Sequence, residues 1–264
     1  MRRGVGVFQG RGGTVAYLLT PDGALVVDSQ YPDTAPICLE GLKPKAPKGI
    51  ELLVNTHHHA DHTGGNIVFK PHVQRIVAHE RCVVLQREVA EKAGTLAQQA
   101  FANTTFTDAW KVDLGGEAVS AKHWGPGHTS GDAVITFEKA NVVHGGDLLW
   151  NKFHPRVDTT AGASVVNWVV ALEKFSAQHD ADTRYIFGHG QPAAGVLGAR
   201  ADVLLLRDYL SAALDHVKKG LAAKQSKAEI TAPVTLPRFE AWVPINQNLT
   251  LTTMLSAIYD ELSV

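Results

Sequence analysis

Residues 55–66 read NTHHHADHTGGN, and four histidines and one aspartate fall within six consecutive positions of this stretch. Histidine is an infrequent residue, yet this chain has 13 among 264 residues. A motif of the form HxHxDH arises by chance in roughly 0.2% of chains of this composition, which is a low false-positive rate for so short a motif. The stretch therefore predicts a metal site, because imidazole and carboxylate groups are ligands that zinc takes in proteins.

The spacing of these side chains indicates two half-sites. In an extended segment alternate side chains share a face, so His57 and His59 point one way and His58 points the other way. The TGGN that follows is typical of a turn or a helix start, which can bring Asp61 and His62 round beside the first pair. Four ligands do not complete two metal sites, so the rest of the chain must supply more.

Three further polar residues stand at predicted strand ends or glycine turns. They are His128 in GPGHTSGD, Asp147 in HGGD and His189 in FGHG. Glycine lets the backbone turn sharply close to an ion. Each residue alone is more often structural than a ligand, but together they supply the groups that the incomplete sites lack.

The composition narrows the classes of function. With 25 basic and 26 acidic residues the net charge is -1, so no basic excess favours nucleic acid as a partner. Apolar runs such as 164–172 are far shorter than the ~20 residues of a membrane helix. Cys38 and Cys82 form no disulfide framework or zinc pattern, so any metal must be bound by nitrogen and oxygen.

The start of the chain, MRRGVGVFQGRGG, has no apolar run of the kind found in a signal peptide. We therefore expect a cytoplasmic location, with a periplasmic or secreted location as the alternative if a leader has been removed. The partner expected is a small-molecule substrate. The oligomeric state is open, with a homodimer as one candidate.

Hydrophobic patterning predicts strands and helices in alternating groups. The first half has a hairpin, a helix, two strands and a second helix, at 14–20 with 24–29, 34–42, 50–56, 75–79 and 80–94. The second half has another hairpin, a helix and a strand, at 133–137 with 142–147, 164–176 and 183–188. The remainder predicts a helix that stops at Gly220, a capping box at 226–229 and a closing helix that carries Leu251, Leu255, Ile258 and Leu262.

The ordered motifs resemble those of the metallo-β-lactamase superfamily over roughly residues 14–190. The resemblance implies an α/β fold, a four-layer αβ/βα sandwich with the metals at one edge of its two sheets. We expect one domain, 1–264, with a core of about 1–198 and a helical C-terminal extension of about 199–264.

The resemblance also implies a complete ligand set. The first metal would take His57, His59 and His128, and the second would take Asp61, His62 and His189. Asp147 would bridge the two metals. The early aspartate of the family matches Asp28 in LVVDS, which we expect to fix the backbone or a ligand imidazole.

Two Zn²⁺ ions per chain would make this protein a dinuclear zinc-dependent hydrolase. A metal-bound hydroxide would attack an ester, thioester, lactone or amide carbonyl, with Asp61 as the catalytic residue that orients it or relays a proton. Asp147 stands where some lactamases have cysteine, and Trp150 where they have lysine, so β-lactam hydrolysis is expected only as a weak side activity. The ligand set is that of glyoxalase II, without a matching basic cluster for glutathione.

Two alternatives remain open. The first is a mononuclear iron persulfide dioxygenase, which would use His57, His128 and Asp147. The second and weaker alternative is a metal-binding protein without turnover. Candidate pocket residues are the following: His58, Trp150, Phe153, His154 and Arg156. The stretch 237–246 covers the cleft or mediates dimerisation, and the sequence favours neither.

Overall fold

Short runs of β-branched and apolar residues form most of the strands. The computed structural model describes residues 1–263, and fourteen strands lie within them. In chain order these are β1 Val5–Phe8, β2 Val15–Thr20, β3 Gly23–Val27, β4 Ile50–Val54, β5 Arg75–His79, β6 Thr104–Phe106, β7 Ala109–Leu114, β8 Glu117–Lys122, β9 Val134–Phe137, β10 Val142–His144, β11 Trp150–Asn151, β12 Arg184–Ile186, β13 His189–Gly190 and β14 Leu197–Gly198.

Four of the eight α-helices described begin at residues whose side chains cap the first turn. Ser164 accepts a hydrogen bond from the backbone of Asn167, and Ser226 and Thr250 cap later helices in the same way. The α-helices are α1 Ala35–Leu42, α2 Ala60–Thr63, α3 Asn66–Phe69, α4 Glu80–Lys92, α5 Val165–Ala177, α6 Arg200–Ala222, α7 Lys227–Thr231 and α8 Leu251–Leu262. No helix within residues 1–263 is long and apolar enough to cross a membrane.

The strands form two mixed six-stranded sheets and a small two-stranded one. The first sheet has the order β1-β2-β3-β4-β5-β6, and the second has the order β14-β12-β10-β9-β8-β7. Strands β3 to β6 are parallel, as are β10 and β12, while the other pairs in these sheets are antiparallel. The third sheet pairs β11 with β13.

Three apolar cores separate four layers. One core lies between the sheets, where Leu25 and Val54 of the first sheet share a cluster with Ile135 of the second. Another packs the outer face of the first sheet against α1 and α3. The largest packs the second sheet against α5, α6 and α8. The order helix, sheet, sheet, helix confirms the predicted four-layer αβ/βα sandwich with C-terminal helices.

Strand ends position the site. The HxHxDH stretch follows β4, Asp147 follows β10 and His189 follows β12. Because the carboxyl ends of parallel strands lie at the same edge of a sheet, β10 and β12 deliver their polar residues to one place. The two sheets then meet at this edge.

Most of the predicted elements form within a residue or two of their expected ends. Two predictions differ more, because β10 ends at His144 and not at residue 147, and α6 continues through the predicted stop at Gly220 to Ala222. Gly220 is buried, and a Cβ added there would lie 2.4 Å from a side-chain carbon of Ile230, so this glycine permits helix packing and does not end the helix. Six strands were not predicted, namely β1, β6, β7, β11, β13 and β14. The division at about residue 198 stays a prediction.

Candidate metal centre

Three imidazoles from two separate loops face one another. Nδ1 of His59 lies 3.1 Å from Nε2 of His57 and 2.9 Å from Nε2 of His128. The other ring nitrogen of His57 lies 3.1 Å from the hydroxyl of Thr56, and that hydroxyl in turn donates to Asp28. His57 therefore carries its proton on Nδ1, and its Nε2 lone pair points into the group.

The same pattern holds for the other two imidazoles. Nε2 of His59 donates to Oδ2 of Asp158 at 2.7 Å, and Nδ1 of His128 donates to the backbone oxygen of Arg156 at 2.8 Å. These bonds fix which nitrogen carries the proton. Three lone pairs consequently converge on one point, which we call the first half-site.

The second half-site contains Asp61, His62 and His189, whose ligand atoms all lie within 4.8 Å of one another. Nε2 of His189 is 3.1 Å from Oδ2 of Asp61. His62 is held from behind by Asp28, whose Oδ2 lies 2.7 Å from Nδ1. Asp28 therefore orients His62, and it also accepts hydrogen bonds from Thr56.

Asp147 lies between the half-sites with one oxygen towards each. Oδ2 is 3.5 Å from Nε2 of His128 in the first half-site. Oδ1 is 3.0 Å from Nε2 of His62 and 3.4 Å from Nε2 of His189 in the second. This is the placement that a bridging carboxylate needs.

The residues fit a pair of divalent cations. Nε2 of His62 and Oδ1 of Asp147 are buried without a hydrogen-bond partner. Burial opposes charge on His62, but Asp147, Asp61 and Asp28 outweigh it and raise its pKa well above the ordinary value. These carboxylates thus favour positive charge beside Nε2, which is where a bound cation would supply it. Nitrogen and oxygen donors of this kind suit zinc. The clusters are metal-binding groups, and the assignment of each ligand to an ion stays a prediction.

The pKa values of the histidines are shifted in opposite directions in the two half-sites. Burial lowers the pKa of His57 well below its ordinary value and that of His128 to about 3, which keeps both imidazoles neutral. Burial opposes charge on His189 too, but Asp147 and Asp61 outweigh it and raise its pKa to about 9. Burial would likewise raise the pKa of Asp61, yet His62 and His189 bring it down to about 2.

The candidate pocket residues on the loop after Asp147 contact different parts of the structure. The Trp150 ring packs on His189 with centroids 4.6 Å apart, and its Nε1 donates to the backbone oxygen of Asp147. Phe153 packs against the C-terminal core and also lines a 210 Å³ cavity beside His189. His154 is buried, and its Nδ1 lies 2.7 Å from the hydroxyl of Tyr209 on α6, so it does not face the metal residues.

Two larger cavities also border the half-sites. The first, here called the metal cleft, has a volume of about 370 Å³ and is lined by Asp147, His189 and Trp150 among others. The second, here called the α4-side cavity, has a volume of about 420 Å³ and lies between the histidine loop and α4. Four residues line both spaces, namely Tyr31, His59, Asp61 and Arg156.

Of the two remaining pocket candidates, Arg156 lies at this junction and His58 lines only the α4-side cavity. The side chain of Arg156 is 46% exposed and donates to Oδ2 of Asp158 at 2.8 Å. His58 is buried, lines the α4-side cavity, and its Nδ1 has no hydrogen-bond partner. Burial lowers the pKa of His58 to about 2, so the ring is neutral.

The C-terminal segment completes one wall of the metal cleft. Between α7 and α8 the backbone of Val243 pairs with the loop after Asp147, accepting from His154 and donating to Lys152. Ile245 and Leu249 then line the cleft. The stretch 237–246 thus contributes to the cleft wall, and its part in dimerisation stays a prediction.

Sequence reasoning missed Asp158. Its carboxylate holds His59, Arg156 and the backbone of Ala161, so it organises the loop as well as a metal-binding imidazole. Nothing in the local pattern HPRVD marks an aspartate of this kind. The only signal is general, since a metal-binding imidazole requires a partner for its second nitrogen.

Comparison with known sequences agrees with this geometry. Residues 9–190 match the family model described as the metallo-beta-lactamase superfamily. A metallo-beta-lactamase type 2 from Bacillus sp. (strain 170) is 25% identical over 175 residues, which are 66% of this chain and 65% of that protein. A hydroxyacylglutathione hydrolase from Methylococcus capsulatus is 29% identical over 137 residues, 51% of this chain and 47% of that protein. The chain thus covers less than two thirds of these relatives.

Solved structures show the same fold. A metallo-beta-lactamase from Pontibacter korlensis superposes with a TM-score of 0.63 at 19% identity, covering 78% of this chain and 93% of that one. Metallo-beta-lactamase IND-7 gives a TM-score of 0.61 at 23% identity, covering 78% of this chain and 90% of that one. The solved structures agree with the fold, and the family match over residues 9–190, which is most of the chain, establishes that the protein belongs to the metallo-β-lactamase superfamily.

Proposed function

We propose that this protein is a dinuclear zinc hydrolase that cleaves an ester, thioester, lactone or amide. The observation that carries the proposal is the joining of two half-sites by Asp147 beside an open cleft. Relatives named as lactamases and as a hydroxyacylglutathione hydrolase support hydrolysis as the reaction class. They do not identify the substrate, because the ligands provide the chemistry and the cleft walls provide selectivity.

Zinc bound in these half-sites would lower the pKa of a coordinated water towards about 7 and polarise a carbonyl oxygen. Asp61 is ionised, and its side chain is 22% exposed, so it can accept a hydrogen bond from the attacking water and orient it. Burial and the nearby Asp61 raise the pKa of Tyr31, so the phenol stays protonated and can donate a hydrogen bond at the junction of the two cavities. Trp150 packs against His189 and limits water on that side.

The walls of the metal cleft favour a substrate that is partly apolar and carries an anionic group. Ile245, Leu249 and Trp150 supply apolar surface, while the guanidinium of Arg156 is half exposed at the rim. A carboxylate of the substrate would bind Arg156. Weak β-lactam hydrolysis fits the same chemistry as a side activity.

Metal analysis and a substrate panel test this function. We expect two zinc ions per chain and turnover of at least one ester, lactone, thioester or nitrocefin-type substrate, with turnover lost in Asp61→Ala at unchanged circular dichroism. One iron per chain with oxygen uptake would support the persulfide dioxygenase instead. A blank panel with two zinc ions bound would overturn the substrate classes. The small-molecule partner, the cytoplasmic location and the homodimer remain proposals.

A further inference from the structure

Tyr31 lies where the metal cleft meets the α4-side cavity, and no protein group holds its hydroxyl. The side chain is partly buried and lines both spaces. Within residues 1–263 this hydroxyl makes no hydrogen bond, and it retains surface that solvent can reach. A molecule bound at the junction can therefore contact this oxygen.

The backbone before Tyr31 is held in an uncommon conformation. Asp28 and Gln30 have φ angles of 63° and 57°, in the left-handed region that residues other than glycine seldom adopt. Such a conformation persists where contacts fix it. Asp28 bonds His62, and Nε2 of Gln30 donates to the backbone oxygen of Gly13 at 2.7 Å. Tyr31 therefore extends from the same fixed strand end that supports the second half-site.

The guanidinium of Arg11 covers a face of the Tyr31 ring, with Cζ 4.1 Å from the ring centroid. Asp33 fixes this guanidinium through two hydrogen bonds, from Nε to Oδ2 at 3.1 Å and from Nη2 to Oδ1 at 2.7 Å. The hydroxyl of Thr34 also donates to the backbone oxygen of Arg11 at 3.2 Å. A bidentate pair sets the orientation of the planar guanidinium, and so it sets the surface against which the ring lies.

Gly12 places Tyr31 on the side of the second half-site. A Cβ added at Gly12 would lie 3.3 Å from Cδ2 of Tyr31 and 2.9 Å from the backbone oxygen of Asp61. Burial and the negative charge of Asp61 raise the pKa of Tyr31, so the phenol keeps its proton. Tyr31 is therefore a hydrogen-bond donor close to Asp61.

The proposed hydrolysis lacks a donor at one atom of the substrate. It provides for the carbonyl oxygen and for the attacking water, but the leaving atom also gains negative charge as its bond breaks. Other donors of the metal cleft have separate roles, since Arg156 faces a substrate carboxylate and Nε1 of Trp150 donates to the backbone oxygen of Asp147. The hydroxyl of Tyr31 has no such role.

We propose that Tyr31 is a catalytic residue whose hydroxyl donates a hydrogen bond to the leaving atom, and that Arg11, fixed by Asp33, positions it. The inference deepens the proposed hydrolase function and rests on it. The hydrogen bond strengthens as charge develops on the leaving atom, so it contributes most when that atom is strongly basic. Arg11 contacts the ring and makes no hydrogen bond to the hydroxyl, so its effect passes through Tyr31.

Two esters with the same acyl group test the donor. Phenyl acetate releases a more basic phenolate than 4-nitrophenyl acetate does. In the zinc-loaded protein Tyr31→Phe should lower kcat/KM at least about tenfold for phenyl acetate and no more than about threefold for 4-nitrophenyl acetate, with unchanged zinc content. Equal effects on both esters, or loss of zinc, would overturn the donor role. If the protein hydrolyses another class of the substrate panel, a pair that differs only in a nitro group on the leaving group replaces the esters.

A double-mutant cycle tests the positioning by Arg11. Arg11→Gln should lower kcat/KM for phenyl acetate about two- to fivefold, as expected for an exposed cation–π contact. In the Tyr31→Phe background it should cause no further loss. Because phenyl acetate is uncharged, a role of Arg11 in binding a substrate anion would not give this pattern. Equal losses in both backgrounds would overturn the positioning role.

The C-terminal helix offers a matched control. Nζ of Lys227 lies 5.4 Å from the centroid of the Tyr259 ring and 2.6 Å from Asp260, so a cation, a ring and a carboxylate also meet there. Tyr259 lines neither the metal cleft nor the α4-side cavity. Tyr259→Phe and Lys227→Gln should therefore leave kcat/KM unchanged for both esters. A loss in Tyr259→Phe equal to that in Tyr31→Phe would overturn the specific role of Tyr31.

The outcomes separate this inference from the function on which it rests. Equal hydrolysis by the unchanged protein and by Tyr31→Phe would overturn the inference and leave the proposed function in place. If the zinc-loaded unchanged protein hydrolyses no substrate of the panel, the proposed function fails, and the donor role fails with it.

Discussion

Two buried histidines of this protein differ in how their ring nitrogens are bonded. His62, at the edge of the sheets, and His144, at the end of β10, are both 0% exposed. His144 uses both ring nitrogens, since Nε2 donates to Thr14 and Nδ1 accepts from the backbone of Gly146. His62 uses only Nδ1, and its Nε2 faces carboxylate oxygens.

Burial therefore does not separate a metal-binding histidine from a core histidine. The difference is whether one ring nitrogen is fixed by a partner outside the site while the other faces further metal-binding side chains. By this criterion His57, His59 and His128 resemble His62, and His144 belongs to the core. Four experiments test this comparison.

The largest effect is expected for His128→Ala. It removes one of the three converging lone pairs, so metal in the first half-site should be lost and kcat/KM should fall at least about a thousandfold. Metal content by mass spectrometry and turnover measure this. His144→Asn is the control, and it should lower stability but retain metal in the folded protein. Metal loss in that control would contradict the comparison.

Gly13→Ala tests the second half-site by steric crowding of a metal-binding ring. A Cβ at Gly13 would lie 2.2 Å from Nε2 of His62, so that ring must move. We expect the affinity for the second metal to fall by about ten- to a hundredfold, measured by competition with a chelator. Gly41 has nothing within 4 Å of an added Cβ, and Gly41→Ala should bind metal normally. Equal affinities in the two variants would count against the assignment of His62.

Asp158→Asn tests the support of His59. The amide keeps the shape but weakens the hydrogen bond that fixes the imidazole, so metal affinity in the first half-site should fall about tenfold. Asp33→Asn changes another carboxylate that pairs with arginine, at an exposed position where it holds Arg11 at 2.7 Å. That variant should retain full affinity. An unchanged chelator titration for Asp158→Asn would mean that Asp158 supports only the loop.

The smallest effect concerns the core histidine His154. Burial lowers its pKa to about 4, below the ordinary 6.5, so the unfolded chain binds the proton first as pH falls. His154 thus contributes stability that is lost as pH falls from about 6.5 to about 4. His154→Gln, which can still bond Tyr209, should reduce the loss between pH 7 and pH 5 by about 1 kcal/mol in urea unfolding.

The difference in the free energy of unfolding between the unchanged protein and His154→Gln should not change between pH 7 and pH 8, which is the control. An identical loss in both proteins at pH 5 would show that His154 accepts a proton without cost in the folded state.

The sequence predicted those parts of the molecule that depend on local patterns. The HxHxDH spacing indicated the half-sites, and the hairpins and amphipathic helices followed from periodicity. His128, Asp147 and His189 were assigned through a family resemblance, and the fold then brought them to one edge.

What the sequence did not reveal depends on contacts between distant segments. Asp158 supports His59 from 99 positions away along the chain. His154 was grouped with the pocket because it follows a ligand on the same loop, but Tyr209 of α6 takes its ring nitrogen instead. Glycine is typical of a helix end, but α6 continues past Gly220. The close approach of Ile230 explains why glycine stands at this position.

The pairing of Val243 with the loop after Asp147 places a C-terminal segment at the cleft, while the metal-binding residues come from other segments. Ile245 and Leu249 shape the cleft, although they come from a segment that provides no metal ligand. Insertions or exchanges there can alter which molecules are accepted while the reaction machinery stays intact. Swapping this segment between relatives is therefore a direct route to redirecting selectivity.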